Sequence, residues 1–370
     1  MRRARLQIDT AAMRHNLGIA REAAGSRSIF AAVKADGYGH GLLTAARAFS
    51  RARADGLAVA TPEEGVALRE AGFSERILVL QGAFFSEELG LAARHSLELV
   101  FHDSSQLSLL EHEGTGIATR GGRAKGIRAW IKVDTGMHRA GFPPGAVSAA
   151  RERLSTCPIV AGPVGLMTHF ARADEPDETP TERQIETFRS VVGNGAGETS
   201  LCNSAALLRS NTAEGDWVRP GIMLYGGNPF IFGEVAQYRL KAAMSLKTVL
   251  IAVRHVPRGE SIGYGGRFVA PEDMPVGLAS VGYGDGYPRH APDGTPILVN
   301  GKRSQIVGRV SMDLVTVDLR GIEARVGDEV ECWGAGLPID QVSQAAGTIS
   351  YELMCQVSGQ LRAEAEILGE

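Results

Sequence analysis

Eight short apolar runs, separated by amphipathic stretches, constrain the fold of this chain more than any other feature. They are residues 28–34 (SIFAAVK), 56–60 (GLAVA), 76–81 (RILVLQ), 97–101 (LELVF), 128–133 (RAWIKV), 163–169 (PVGLMTH), 199–203 (TSLCN) and 221–226 (GIMLYG). Strands buried on both faces read as continuous apolar runs, because helices cover the sheet on either side. Eight of them alternating with helices is the pattern of a (β/α)8 TIM-type barrel. The intervening segments carry helix punctuation: in residues 61–72 (TPEEGVALREAG), Pro62 falls at the start, Glu63 and Glu64 in the first turn, and Gly72 just past the end. A doubly wound sheet is the rival α/β fold, but no GxGxxG follows the first run.

From about residue 238 the pattern changes to β-rich runs between Gly/Pro turns, at residues 244–253, 277–282, 295–301, 305–310, 313–319 and 328–334. We therefore expect a barrel domain over 10–237 and a mainly β C-terminal domain over 238–370, with an N-terminal strand within 1–9 docked on the latter. A helical pattern, IDQVSQAAG, leads into TISYELMCQVS (348–358), and the acidic stretch 171–180 reads as an exposed connection. Composition narrows the function. Lys and Arg number 39 against 42 Asp and Glu, with no long block of one sign, so neither nucleic acid nor an anionic membrane is expected as a partner. No run of 18 apolar residues occurs and no apolar stretch follows the basic start, which reads as a cytoplasmic protein. Cys157, Cys202, Cys332 and Cys355 form no CxxC pair, so neither a disulfide framework nor a metal site is expected.

In a barrel, reactive groups project from the C-terminal ends of the strands. The first run ends at Lys34, within AAVKADGYGHG (31–41). An amine leaving a buried strand is poorly solvated, which lowers its pKa and favours the neutral form needed for a Schiff base; a lysine snorkelling to the surface is the alternative. The fifth run leads into VDTGMHRAG, bringing Lys132, Asp134 and Arg139 to the same rim, and the sixth ends at His169, which taken alone reads as a satisfied core histidine. The seventh ends in Asn203 and Ser204 at a helix start, where free amides and a hydroxyl suit a phosphate. The segment RPGI (219–222) introduces the eighth, and Gly221 lets the backbone approach a ligand closely. Phosphate sites in such barrels commonly follow strands seven and eight. A rim lysine beside a phosphate site points to pyridoxal phosphate (PLP).

The lysine motif, DTGMHR, MTHFARAD, CNSAA and RPGIMLYG occur in that order, followed by SVGYGDGYPR (280–289), VGRVSMD (307–313) and TISYE (348–352). Through these the chain resembles the alanine racemases among the barrel-type PLP enzymes, over nearly its whole length. The resemblance implies an isomerase that interconverts L- and D-alanine by a PLP-dependent two-base mechanism, supplying D-alanine for peptidoglycan or catabolising it. It also implies a homodimer whose active sites each lie between one barrel and the partner's C-terminal domain.

By this resemblance Lys34 holds PLP and serves as one base, and Tyr264, in IGYGGRF, is the opposite base contributed by the other subunit. Geometry demands two, because racemisation removes a proton from one face of a trigonal carbon and returns one to the other face. Both groups have ordinary pKa values of about 10 and need lowering. For Tyr264 the family supplies a hydrogen-bonded line through His169 to Arg219. Arg219 is implied to face the pyridine nitrogen, and a guanidinium cannot give up a proton there, so the ring remains a weaker electron sink and transamination is suppressed. The resemblance assigns the phosphate to Tyr38, Ser204, Gly221, Ile222 and Tyr351, with Asn203 and His169 also in the cofactor site. Arg139 is implied to contact the PLP phenolate and the substrate carboxylate. Lys132 lies beside it, often carbamylated in the family, and a carbamate's negative charge would orient the guanidinium. Tyr283, Met312 and Asp313 match positions lining the substrate entrance or binding the carboxylate from the partner chain; alone, Met312 would read as core.

Other PLP-barrel activities are the nearest rivals: basic amino acid decarboxylases and D-amino acid dehydratases or aldolases. The metal-dependent ones use His and Cys ligands in the C-terminal domain, where no histidine follows His290. A broader-specificity racemase remains open. A non-catalytic PLP-binding homeostasis protein would be a lone barrel, without the region that bears Tyr264.

Overall fold

The computed structural model describes residues 3–120, 126–193, 197–209, 215–230 and 238–369. Strands β2 (Ser28–Ala32), β3 (Gly56–Val59), β4 (Arg76–Val79), β5 (Glu98–Phe101), β6 (Arg128–Lys132), β7 (Gly165–Met167), β8 (Thr199–Ser200) and β9 (Trp217–Val218) form a closed parallel barrel in chain order. Each pairs with the next, and Ser28 and Ile29 of β2 return to Trp217 and Val218 of β9. Seven of the eight apolar runs lie on these strands. The last does not: Ile222–Tyr225 is a 3₁₀ turn, and the eighth strand is the two-residue segment before it. Pro220 explains the displacement. Without an N–H it cannot continue the ladder, although its carbonyl still accepts from Ala32 N at 3.1 Å.

The helix Pro62–Glu70 begins where its punctuation predicts, with the Thr61 hydroxyl accepting from Glu64 N–H and two acidic residues in the first turn. Phe30, Ala58, Leu78, Val100, Trp130, Met167 and Trp217 fill the barrel interior. Large aliphatic and aromatic side chains buried this fully contribute roughly 1.5–3 kcal/mol each. At the start of β4, the Arg76 guanidinium stacks 4.4 Å from the Trp217 ring centroid and pairs with Glu98 and Glu198, while Trp130 Nε1 donates to Glu98 at 2.8 Å. This packed ion cluster closes the N-terminal mouth. The opposite mouth is left for chemistry.

The N-terminal strand β1 (Arg5–Asp9) pairs antiparallel with the long strand β10 (Met244–Val256). Around β10, the strands β13 (Met274–Ala279), β14 (Pro296–Val299), β15 (Lys302–Gln305), β16 (Val315–Asp318), β17 (Glu329–Trp333) and β18 (Glu366–Leu368) complete an eight-stranded sheet with β1. A two-stranded ribbon of β11 (Ser261–Ile262) and β12 (Phe268–Val269) projects beside it. The expected strand at 305–310 is displaced to β15; Ile306 makes only an isolated bridge to Val317, and Gly308 turns the chain at φ +77°. The segment after Thr348 is a helix, Ser350–Gln356. Among the described residues, no helix is long and apolar enough to cross a membrane.

Candidate active site

Strand β2 delivers Lys34 to the open mouth, and an unusual backbone follows. Ala35, Asp36, Gly37, Tyr38 and Gly39 all have positive φ, between 53° and 78°, giving one left-handed turn. Ala35, Asp36 and Tyr38 carry side chains, for which this region costs roughly 1–2 kcal/mol per residue. Internal bonds from Gly37 N to Val33 O (2.8 Å), Gly39 N to Ala35 O (3.0 Å) and Gly41 N to Asp36 O (2.9 Å) offset part of that cost. Gly39 is pressed against the helix Ser350–Gln356, where a Cβ would stand 2.1 Å from Met354 O. The C-terminal domain thus buttresses the lysine loop.

Within the turn, the Tyr38 ring is buried and stacks on Tyr225 at 4.7 Å between centroids, with Tyr351 6.0 Å away. Tyr225 is itself fixed by donating to Ala32 O at 2.8 Å. A Cβ on Gly221 would lie 2.3 Å from the Tyr38 hydroxyl oxygen. Ser204 Oγ accepts from Gly221 N at 2.8 Å and sits at the start of the helix Ser204–Arg209. Two hydroxyls and a side-chain-free backbone therefore converge where β8 and β9 end, with Ile222 buried beside them. Asn203 caps that helix by accepting from Ala206 N at 3.0 Å.

The neighbouring groups are cationic. Burial lowers the Lys34 pKa, Arg139 lowers it further, Glu64 and Cys355 oppose, and Arg219 adds to the lowering. Lys132 falls to about 8, through burial and then Arg139, Arg219 and Lys34, with Asp134 opposing. His169 is held well below its ordinary value by burial and by Arg219, Lys132, Arg139 and Lys34, so it is neutral at pH 7. Arg219, 8% exposed and lowered to about 10 by burial, remains a cation. Its guanidinium donates to Ser200 Oγ (2.5 Å), Thr168 O (2.5 Å) and Leu201 O (3.4 Å), and among the described residues it makes no hydrogen bond to His169, the one that the resemblance implies. Asp134 accepts from the Gly136, Met137 and His138 amides at 3.0–3.1 Å, shaping the loop that carries the exposed Arg139. Four mutually repelling cations around one mouth make a receptor for anions.

The Lys132 value carries a sign. A folded pKa of about 8 against an ordinary 10.5 means that the unfolded chain binds more protons between those limits, so stability rises with pH across that window and is lost as pH falls through 8. We expect the thermal midpoint of Lys132→Met to rise less steeply between pH 8 and 10.5 than that of the parent; identical slopes would show that the amine is not desolvated.

Tyr264 lies elsewhere. It sits on a 3₁₀ turn between β11 and β12 and is 69% exposed. Tyr283, Met312 and Asp313 are also exposed and are gathered together by Tyr283 N donating to Ser311 O (3.1 Å) and Gly284 N to Met312 O (2.9 Å). Gly263 packs against Arg309 and Gly308, tying the Tyr264 turn to the same loop. Among the described residues, no hydrogen bond, ring contact or charge interaction joins these four to Lys34, Arg139, His169 or Arg219. The expected site is thus split within one chain into a barrel half and a C-terminal half. Among the described residues, no group of three or more His, Cys, Asp and Glu side chains could hold a metal ion.

Comparison with known proteins identifies the family. Residues 8–229 fit the family model of the alanine racemase N-terminal domain, and residues 243–365 that of the C-terminal domain. The chain belongs to the alanine racemase family. It is 50% identical to the alanine racemase of Nitrosococcus oceani over 355 residues, covering 96% of this chain and 97% of that one. It is 45% identical to the alanine racemase of Halorhodospira halophila over 364 residues, 98% of each chain. The crystal structure of the biosynthetic alanine racemase from Pseudomonas aeruginosa, 43% identical, superposes with a TM-score of 0.92 over 99% of both chains.

Two residues of this candidate site escape the sequence reading. Tyr225, in an apolar run, is the platform under Tyr38. Glu64, in a helix's first turn, accepts from Ala35 N in the lysine loop. A tyrosine among apolar residues and a glutamate at a helix start both have ordinary structural explanations, so neither signals a site.

Proposed function

We propose that this chain racemises alanine with PLP, using Lys34 and the partner subunit's Tyr264 as the two bases. The observation that carries the reading is the convergence of Lys34, the Tyr38 and Ser204 hydroxyls and the bare Gly221 backbone within a ring of cations. The residues fit the cofactor. Gly221 leaves the room that a phosphate needs, Tyr38 and Ser204 offer hydroxyls, and burial prepares the Lys34 amine to meet an aldehyde. When bound, PLP supplies an electron-withdrawing ring joined to the substrate nitrogen, which makes the Cα proton removable.

The chain's own groups do the rest. Arg139, exposed at the mouth, is the cation for the substrate carboxylate. Lys132, with its amine at about 8, is poised to take up carbon dioxide as a carbamate that would orient Arg139. Lys34 moves the proton on one face of Cα. The other face needs a second base, which we assign to the partner's Tyr264. An exposed face bearing Tyr264 (69%), Met312 (56%) and Tyr283 (39%) supports a homodimer in which each C-terminal half completes the partner's barrel. We assign residues 10–237 to the barrel unit and 238–370 to the C-terminal unit, on which the N-terminal strand β1 (Arg5–Asp9) docks beside β10. Four free cysteines suit a reducing cytoplasm.

The decisive experiment incubates the PLP-loaded enzyme with each alanine enantiomer in deuterium oxide. Deuterium at Cα in both, with inversion, is expected; exchange without inversion, or none, would overturn the proposal. Serine, lysine and arginine tested alongside measure specificity breadth. We further expect Gly221→Ala, whose methyl would meet the Tyr38 hydroxyl at 2.3 Å, to raise the PLP dissociation constant by roughly tenfold or more, measured by absorbance titration.

A further inference from the structure

Glu64 sits on the helix Pro62–Glu70, which follows β3, yet its carboxylate reaches across to the loop that follows β2. One oxygen accepts from Ala35 N at 3.0 Å and the other from Ala60 N at 2.7 Å. These amides belong to the ends of two adjacent barrel strands, and Ala35 is both the residue after Lys34 and the first of the left-handed turn. A turn with three side-chain-bearing residues at positive φ persists only where its surroundings over-determine it.

Three holds are present. Gly39 abuts Met354 O but limits approach from one side only. Asp36 accepts from Leu42 N at 2.8 Å and pairs with Arg362 at 3.1 Å; with its side chain 46% exposed, that pair is screened by water and contributes little. Glu64 acts next to the lysine itself, satisfying an amide that has no other bond among the described residues. Only a carboxylate can do both tasks, since a glutamine offers one acceptor and turns an N–H toward the second amide. Its negative charge also supports the Lys34 ammonium against the surrounding cations.

We infer that Glu64 is a positioning residue for Lys34, its carboxylate bridging the Ala35 and Ala60 amides so that the strained left-handed turn holds the lysine at the barrel mouth. This inference rests on the reading of Lys34 as the PLP-bearing amine. The test compares PLP-loaded parent, Glu64→Gln, Glu64→Asp and Lys34→Ala by amide hydrogen exchange and by alanine turnover. Glu64→Gln should raise exchange in peptides covering 33–41 by at least about tenfold while leaving peptides over 128–133 unchanged. Its kcat should fall about tenfold or more with KM within about twofold, because a small misplacement of a reacting group costs rate rather than binding. Glu64→Asp, which keeps the charge but is one methylene too short to bridge, should show the same pattern; full parental exchange and turnover in the aspartate variant would overturn the bridging role. Lys34→Ala separates the two claims. If it loses the yellow Schiff-base absorbance while Glu64→Gln behaves as the parent, the Glu64 inference alone fails. If PLP still becomes covalently fixed to it on borohydride reduction, the lysine assignment fails and the inference with it.

Discussion

Tyr264→Phe should abolish deuterium uptake into L-alanine by a factor of roughly 10²–10⁴, the usual contribution of a positioned acid–base group, while D-alanine continues to exchange. The asymmetry must be read from isotope exchange and not from net racemisation. Enantiomers have an equilibrium constant of one, so kcat/KM must fall equally in both directions whichever base is lost. Exchange has no such constraint. In the variant, Lys34 can still remove the Cα proton of D-alanine, trade it with solvent and return deuterium to the same face. Equal loss of exchange from both enantiomers would contradict the two-base assignment. The 69% exposure of Tyr264 and its separation from the barrel mouth add a second consequence. If each site joins one chain's Lys34 to the other's Tyr264, inactive Tyr264→Phe and Lys34→Ala chains should restore activity when mixed. Random pairing makes half the dimers mixed, each with one intact site, so about one quarter of parental activity is expected. No recovery after subunit exchange would place both bases in the same chain.

The barrel was legible because its signal is repeated: β2 to β7 each bury most of a continuous apolar run, and helices such as Pro62–Glu70 carry their caps in plain sequence. The eighth strand was misplaced because Trp217–Val218 is too short to show a period, while the longer apolar run beyond Pro220 closes into a 3₁₀ turn. Candidate site residues could be picked out at the strand ends, since a barrel concentrates reactive groups there. What could not be read was how they are held. The left-handed turn after Lys34 depends on Glu64, Leu42 and Met354, whose contacts are set by tertiary packing and not by local propensity. Nor does a sequence motif reveal that the Arg219 donors go to Ser200 Oγ and to two carbonyls and, among the described residues, not to His169.

That arrangement of donors shapes what Arg219→Glu should do. Arg219 keeps its charge near neutrality even with its pKa lowered to about 10, and it is anchored by Ser200 Oγ and Thr168 O. A glutamate placed there would face the Thr168 and Leu201 carbonyls without the guanidinium, so its own pKa would rise and it would carry a proton. If the side chain at 219 faces the PLP pyridine nitrogen, as the family resemblance implies, that proton would add positive character to the ring and spread charge away from Cα toward the aldehyde carbon. Protonation at that carbon ends in pyruvate and not in alanine. We expect the ratio of pyruvate to racemised alanine to rise at least about tenfold, with racemisation itself slower. Arg219→Gln provides the contrast, because it removes the same cation and the same buried donors without supplying a proton. Both variants should lose thermal stability, since each leaves buried carbonyls short of a donor. Only the glutamate should change the product ratio. A ratio unchanged in Arg219→Glu, or raised equally in both, would mean that Arg219 governs packing at the barrel mouth and not the protonation of the ring.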